Sequence, residues 1–343
     1  MKRRTVLLLA APLLASLAAV LWVRSALAAR AAPQPYVPQG WPAPRYEFAG
    51  NPVTAAGFAL GRRLFYDPIL SRDGSIACGN CHQQFAAFAH LDHRVSHGIG
   101  GVNGKRNTPG LFNLAWQPEL MWDGSAHHLE TQPVAPISNP LEMGGSLALA
   151  VDKLRRDPRY PVLFEQAFGS PGIDSQRLLR ALAQFTGTLV SADSRYDRHL
   201  RGEEAFTAQE QAGLELFRQR CAACHREPLF SDFSYRNNGL DAAPRDAGRA
   251  LISGRVEDQG RFRVPSLRNV ALTAPYMHDG RYDTLQQVLD HYSAGIQPSS
   301  TLDPLLANTA PLSPEQRAAL LAFLDTLTDD HFIHDRRFAE ARD

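Results

Sequence analysis

Two pentapeptides decide how this chain is read: Cys78-Gly79-Asn80-Cys81-His82 and Cys221-Ala222-Ala223-Cys224-His225. Between them they use all four cysteines of the sequence. C-x-x-C-H is the spacing of covalent haem attachment. Two thiols add to the two vinyl groups of one porphyrin, and the adjoining histidine falls beneath the ring as an iron ligand. A redox dithiol needs no histidine and sits more usually in a βαβ setting. A zinc site draws its ligands from more varied spacings. Two matches with no cysteine left over therefore predict two covalently bound c-type haems. Cys78, Cys81 and His82 would hold one, and Cys221, Cys224 and His225 the other.

The rest of the chain agrees with an exported haem protein. Its 343 residues suggest two domains, and the formal net charge of +1 gives no reason to expect a nucleic-acid partner. Lys2, Arg3 and Arg4 precede an apolar run from Thr5 to Val23, and Ala26-Leu27-Ala28 offers small residues for cleavage. Residues 1–28 read as a signal peptide. An uncleaved membrane anchor is the alternative, and either way the remainder lies outside the cytoplasm, in the periplasm. Residues 29–50 are rich in Pro and Ala and read as a linker.

Helix signals dominate and strand signals are sparse. Apolar periodicity predicts helices over Asn51–Phe65 (stopped by Asp67-Pro68), Leu147–Leu154, Arg159–Phe168 and Ser175–Val190. Thr207-Ala208-Gln209-Glu210 is a capping box that opens the helix delivering Cys221. A short helix is expected over Thr284–Tyr292. Ser313-Pro314-Glu315 caps a last helix running to about Leu327. The tract from Phe85 to about Met143 lacks periodicity, and its length and two tryptophans mark an ordered, functional loop region. This predicts a mainly α protein: two cytochrome c-like haem domains, 51–195 and 196–343, with long ordered loops. The last helix has the option of packing back on the first domain. Apart from one C-x-x-C-H each, the halves read as unrelated in sequence.

The ordered segments LGRRLFYDP before the first haem motif, RNTP at 106–109, MWDG at 121–124, NPLEM at 139–143, VPSLRNVALTAPYMHDG at 264–280 and TLQQVLDHY at 284–292 carry a resemblance. Over residues 50–330 the chain is similar to the bacterial di-haem cytochrome c peroxidases and the related MauG enzymes. The resemblance implies a periplasmic peroxidase with hydrogen peroxide as oxidant. It implies His82 and His225 as proximal ligands and Trp122 between the haems. Gln132 and Glu142 would line the peroxide pocket of the N-terminal haem, with Pro136 nearby. It implies a calcium ion held by Asn107 and the backbone carbonyls of Thr273 and Pro275, and a detachable distal ligand at His97. His90, His93, His127 and His128 match no role and default to surface or structural positions.

Tyr292 stands where peroxidases with a high-potential second haem carry methionine, and it matches the MauG ligand. The alternative is a buried Tyr292 with His291 on the iron; Met277 is a poor candidate. On the predicted short helix Tyr292 shares the apolar face with Leu285, Val288 and Leu289, and His291 points elsewhere. The first functional reading is peroxide reduction with electrons from a small c-type cytochrome. The second is peroxide-driven oxidation of aromatic side chains on a protein partner. A third, non-enzymatic reading is a di-haem electron carrier, which has no use for Gln132 and Glu142.

Overall fold

A computed structural model describes residues 35–341; the signal segment and the first linker residues lie outside the described part. Among the described residues no helix is long and apolar enough to cross a membrane. The strands amount to one antiparallel pair, Tyr235–Arg236 with Phe262–Arg263. Helices supply the rest of the framework.

The first helix, Ala55–Tyr66, starts where the Thr54 hydroxyl accepts from the Gly57 amide, and ends at Asp67, held extended before Pro68. Leu147–Arg156 and Arg159–Phe168 follow the prediction closely. Ser175–Thr186 stops four residues short of the predicted Val190. There the hydroxyls of Thr186 and Thr188 donate back to the Leu182 and Gln184 carbonyls, and the Leu189 carbonyl turns away to accept from the Asn113 amide. Thr207 and Glu210 form the expected capping box at the head of Ala208–Arg220. The last long helix, Pro314–Asp325, ends just before the predicted Leu327.

The buried apolar residues form two main clusters. One is built on Phe65, Phe88, Phe164, Phe185 and their neighbours, and it also takes Phe332 and Phe338 from the C-terminal end. The other is built on Tyr196, Phe217, Phe230 and Phe323. The reading of the halves as unrelated in sequence needs correcting, because the two lobes are built on the same plan. Gly61 lies against Ala181 and Phe185, and Gly213 lies against Ala319 and Phe323. In each lobe a Cβ on the glycine would run into the backbone carbonyl of that alanine, so only glycine lets the two helices cross this closely. Four residues after each glycine comes a buried phenylalanine, Phe65 or Phe217. Phe65 and Phe185 have ring centroids 5.1 Å apart, and Phe217 and Phe323 5.0 Å. Phe88 and Phe230 complete the two triangles, 5.9 and 5.5 Å from Phe65 and Phe217.

The loops repeat as well. Pro109, Leu111, Asn113, Met121, Asp123 and Gly124 align at one constant offset with Pro265, Leu267, Asn269, Met277, Asp279 and Gly280. Asn113 and Asn269 both adopt left-handed backbone at φ 54° and 57°, and Met121 and Met277 at 71° and 74°. The Asn113 amide donates to Leu189 and the Asn269 amide to Leu327, each in the turn after its lobe's second crossing helix. Insertions between these blocks shift the offset from one block to the next, so the repeat has no constant period along the sequence. The tract from 85 to 143 is mostly irregular, with short 3-10 turns and one helical turn at Val134–Ser138, and it is pinned by such bonds and by Trp116, whose Nε1 donates to the Pro42 carbonyl at 2.8 Å.

Candidate haem centres and peroxide cavity

The duplicated frame places both histidines of the C-x-x-C-H motifs in the same way. Cys78–Cys81 forms one turn of helix, and its C-cap is His82. The His82 Nδ1 donates to the Phe88 carbonyl at 2.7 Å. His225 Nδ1 lies 3.2 Å from the carbonyls of Phe230 and Pro265. A backbone acceptor on Nδ1 fixes the tautomer, so Nε2 carries the lone pair that an iron needs. Burial pushes His82 down to about 4, keeping the ring neutral at physiological pH.

Above His82 opens a cavity of about 1150 Å³ with Cys78, Cys81 and His82 in its wall. Its rim carries the cations Lys105 and Arg245, and Lys105 has no ion pair among the described residues, so it is available to a propionate carboxylate. Thiols, neutral imidazole, room and cation together fit a covalent haem.

The same cavity gathers Gln132, Pro136, Glu142, Trp122, His97 and Asn107. The Glu142 carboxyl accepts from Asn139 Nδ2 at 2.9 Å. Burial raises its pKa above the usual carboxylate range, and the Asn139 bond opposes that only in part. Gln132 Nε2 lies 3.4 Å from the sulfur of Met121. The 97–99 loop sits directly on this wall. The Ile99 amide donates to the Glu142 carbonyl at 2.9 Å, and a side chain at Gly98 would collide with the carbonyls of Leu141 and Glu142.

Trp122 lies where the lobes meet. Its indole Nε1 donates to the Asn107 carbonyl at 2.8 Å, and its own carbonyl accepts from the amide of Arg263, at the strand of the second lobe. Asn107 is buried, and its amide donates to the His278 carbonyl at 2.7 Å, so its bond to the 273–280 segment goes to His278 rather than to Thr273 or Pro275.

The second centre differs on its distal side. The predicted helix over 284–292 is α-helical only from Leu285 to Asp290 and then widens into a π turn, His291–Gly295. Wide turns of this kind are common at functional sites. The turn brings His291 inward as well as Tyr292, which corrects the expectation that His291 points elsewhere: His291 is 3 % exposed. Its Nε2 is taken, however, by the Asn238 carbonyl at 3.0 Å. The Tyr292 phenol accepts from Asn238 Nδ2 at 3.4 Å and is close enough to Cys221 and Cys224 for their thiols to add to the upward push that burial exerts on its pKa, to about 12. Asn238 Nδ2 also lies 3.4 Å from the Met277 sulfur, so Met277 is a near neighbour of Tyr292.

The four histidines without a sequence role turn out differently, and His128 is exposed. His127 is exposed and pairs with Glu119, as a surface histidine does. His90 and His93 are not scattered. They stack on each other with centroids 4.1 Å apart, and both stack on His97, at 5.1 and 4.6 Å. The spacing His90-x2-His93-x3-His97 is the signal the sequence offers for this group.

Comparison with known proteins places this architecture. The family model described as di-haem cytochrome c peroxidase matches residues 55–205. The methylamine utilization protein MauG of Methylorubrum extorquens is 39% identical over 296 residues, 84% of this chain and 82% of that protein. The cytochrome c551 peroxidase of Nitrosomonas europaea is 33% identical over 82% of this chain and 83% of its own length. A solved structure, that of a MauG-like protein associated with microbial copper homeostasis, superimposes with a TM-score of 0.82 at 35% identity, covering 89% of this chain and 98% of that one. The chain belongs to the di-haem cytochrome c peroxidase and MauG family. It is an oxidoreductase of the peroxidase class and carries two covalently bound c-type haems.

Proposed function

We propose that the protein reduces hydrogen peroxide to water in the periplasm, at the cavity above His82, with electrons delivered by a small c-type cytochrome through the second lobe. The observation that carries this reading is the placing of Gln132 and a half-buried Glu142, its pKa raised by desolvation, in the same cavity as Cys78, Cys81 and His82. When bound there, haem supplies the iron that takes up peroxide and passes electrons to it. Each peroxide consumes two electrons and two protons and leaves as two waters.

The chain's own residues handle the protons. Glu142, ionised, takes the proton from the bound peroxide oxygen and returns it to the departing one, acting first as base and then as acid. A carboxyl raised by burial suits that double task better than a solvated one, because it gives and takes a proton nearer neutral pH. Asn139 holds the carboxyl by its 2.9 Å bond. Gln132 would turn its amide from the Met121 sulfur toward the peroxide and orient it. Trp122, bonded to both lobes, is assigned the electronic bridge. Asn107 and the carbonyls of Thr273 and Pro275 are assigned to a calcium ion, with water completing a sparse oxygen set. His97 is assigned as a distal ligand that reaches the iron only on leaving its stack with His90 and His93.

A second reading, peroxide-driven oxidation of aromatic side chains on a protein partner, is favoured by Tyr292 beside the second motif. Phenolate ligation lowers a haem potential and stores oxidising equivalents. Peroxide turnover with reduced cytochrome c, run beside a mass-spectrometric scan of periplasmic proteins for oxidised aromatic residues, tests both. Fast cytochrome oxidation supports the first reading. Slow cytochrome oxidation with a modified partner overturns it in favour of the second.

A further inference from the structure

We infer that His90, His93 and His97 form a second kind of metal site in this chain: a mononuclear three-imidazole site for a zinc- or copper-class divalent cation, separate from the haem irons. Each of the three side chains offers a ring nitrogen, and these atoms lie within 4.8 Å of one another. Imidazole–metal bonds of about 2.0–2.1 Å put tetrahedral ligand nitrogens roughly 3.4 Å apart, so the nitrogens need to close by about 1.4 Å at most while the stacked rings rotate until their in-plane lone pairs converge.

The second observation is the state of the nitrogens. His90 is 2 % exposed, and its Nδ1 is buried with no hydrogen-bond partner. The Nδ1 of His97 is likewise buried and unpartnered. Buried polar atoms are seldom left without a partner, and ring stacking satisfies no ring nitrogen. One cation lying in the plane of both rings, once they rotate out of the stack, would satisfy both. His93 differs in the way a third ligand should. Its Nδ1 lies 3.1 Å from the Leu91 carbonyl, which fixes the tautomer and leaves Nε2 free. His93 is exposed, so it also provides the way in.

The backbone is shaped for the purpose. Between the first two ligands Asp92 adopts left-handed φ of 61°, and this turn folds His90 and His93 face to face without a helix. Among the described residues no carboxylate joins the group, so the donor set is all nitrogen. That set suits zinc and copper and does not suit magnesium or calcium. Three protein ligands leave a fourth position for water or another small donor. A bound cation would also keep His97 in the triplet, at the wall of the haem cavity and turned away from its interior. The site itself does not rest on the peroxidase reading.

The test uses the untagged holoprotein carrying both haems, stripped of loose metal with a chelator and then exposed to zinc alone or copper alone. Elemental analysis and competition against a chromophoric chelator read the binding. The expected result is one equivalent of zinc or copper per chain, with affinity falling about 100-fold or more in H93A and in H97A, since losing a ligand costs at least as much as losing its outer-shell support. His93 is exposed, so H93A should fold and keep both haems; intact mass checks that. Wild-type protein that takes up neither metal overturns the inference. Uptake with unchanged affinity in both H93A and H97A overturns it equally, because the metal would then sit elsewhere.

Discussion

The two lobes share a proximal frame and differ on the distal side. Gly61, Phe65, Phe88, Ala181 and Phe185 in the first lobe are answered by Gly213, Phe217, Phe230, Ala319 and Phe323 in the second. Each frame ends in a histidine whose Nδ1 is held by a backbone carbonyl. Beyond the histidine the likeness stops. The first lobe faces a cavity of about 1150 Å³ lined by Gln132 and Glu142. The second turns a π turn inward and presents Tyr292, Asn238 and Met277. One structural unit, used twice, therefore holds two centres of different chemistry, and the difference lies in what the loops after the shared Met-x-Asp-Gly turn bring over the metal. In the first lobe Trp122 fills the x position and bonds across to the Asn107 carbonyl. In the second it is His278, stacked on Phe262 with centroids 3.7 Å apart.

The largest effects should come from taking away one centre at a time. Cys78→Ala with Cys81→Ala should leave a chain that carries a single haem, and Cys221→Ala with Cys224→Ala should do the same for the other. Intact mass should report the loss of one haem in each, and peroxide turnover should vanish in both. Turnover surviving in either double variant would mean that one lobe works alone.

Next in size is the distal carboxylate. Glu142→Gln should lower peroxide turnover by roughly 10²–10⁴-fold with peroxide binding retained. Because burial raises the Glu142 pKa, its ionised, proton-accepting form is lost as pH falls through a value above the usual carboxylate range. Wild-type kcat/KM should therefore fall on the acid side at a pH higher than an exposed glutamate would give, and that limb should be missing in the variant. For stability the sign is opposite. The folded state holds the proton more tightly than the unfolded chain, so keeping Glu142 ionised at neutral pH works against folding, and the glutamine should be tolerated or slightly stabilising. An unchanged acid limb in Glu142→Gln would remove this residue from proton transfer.

The shared frame gives a smaller, paired prediction. Gly61→Ala and Gly213→Ala each force a methyl group into a backbone carbonyl, and each should cost about 1–3 kcal/mol, the usual penalty for overpacking. Chemical unfolding of the two variants should show similar losses. A loss at one position and none at the other would break the equivalence of the lobes.

Smallest in rate and stability, yet most telling about the distal difference, is Tyr292→Met. It should raise the potential of the second haem and alter its spectrum, because a thioether favours the reduced iron and a phenolate the oxidised one. Redox titration reads the outcome. An unchanged spectrum and potential would mean that Tyr292 does not touch the iron.

Much of this was legible along the chain, because the signals are local. C-x-x-C-H is read within five residues, and the Thr207 and Ser313 caps within four. The stops at Asp67-Pro68 and the periodicity of 159–168 need only their own helix. What was missed depends on contacts between distant segments. After Thr186 the backbone tightens, with the Thr188 and Leu189 amides donating to Phe185 and Thr186, and the chain beyond is held by Asn113, far away in sequence, through Leu189 and Ser191. The π turn at His291 depends on Asn238, which offers its carbonyl to His291 and its amide to the Tyr292 phenol. The repeat was hidden by insertions that change the spacing between blocks while keeping their places in space.

By itself, then, the sequence settled covalent chemistry and local conformation: two covalent haems, a mainly helical chain and most of its caps. Those follow from bonds and backbone preferences that span a few residues. The tertiary structure alone decided which side chains share a space. It put Glu142, Gln132 and His97 into one cavity with His82, and drew His90 and His93 out of an irregular loop to stack on His97. No periodicity encodes such meetings. They arise where a tract without regular structure is held in shape by burial and by hydrogen bonds to the two lobes around it.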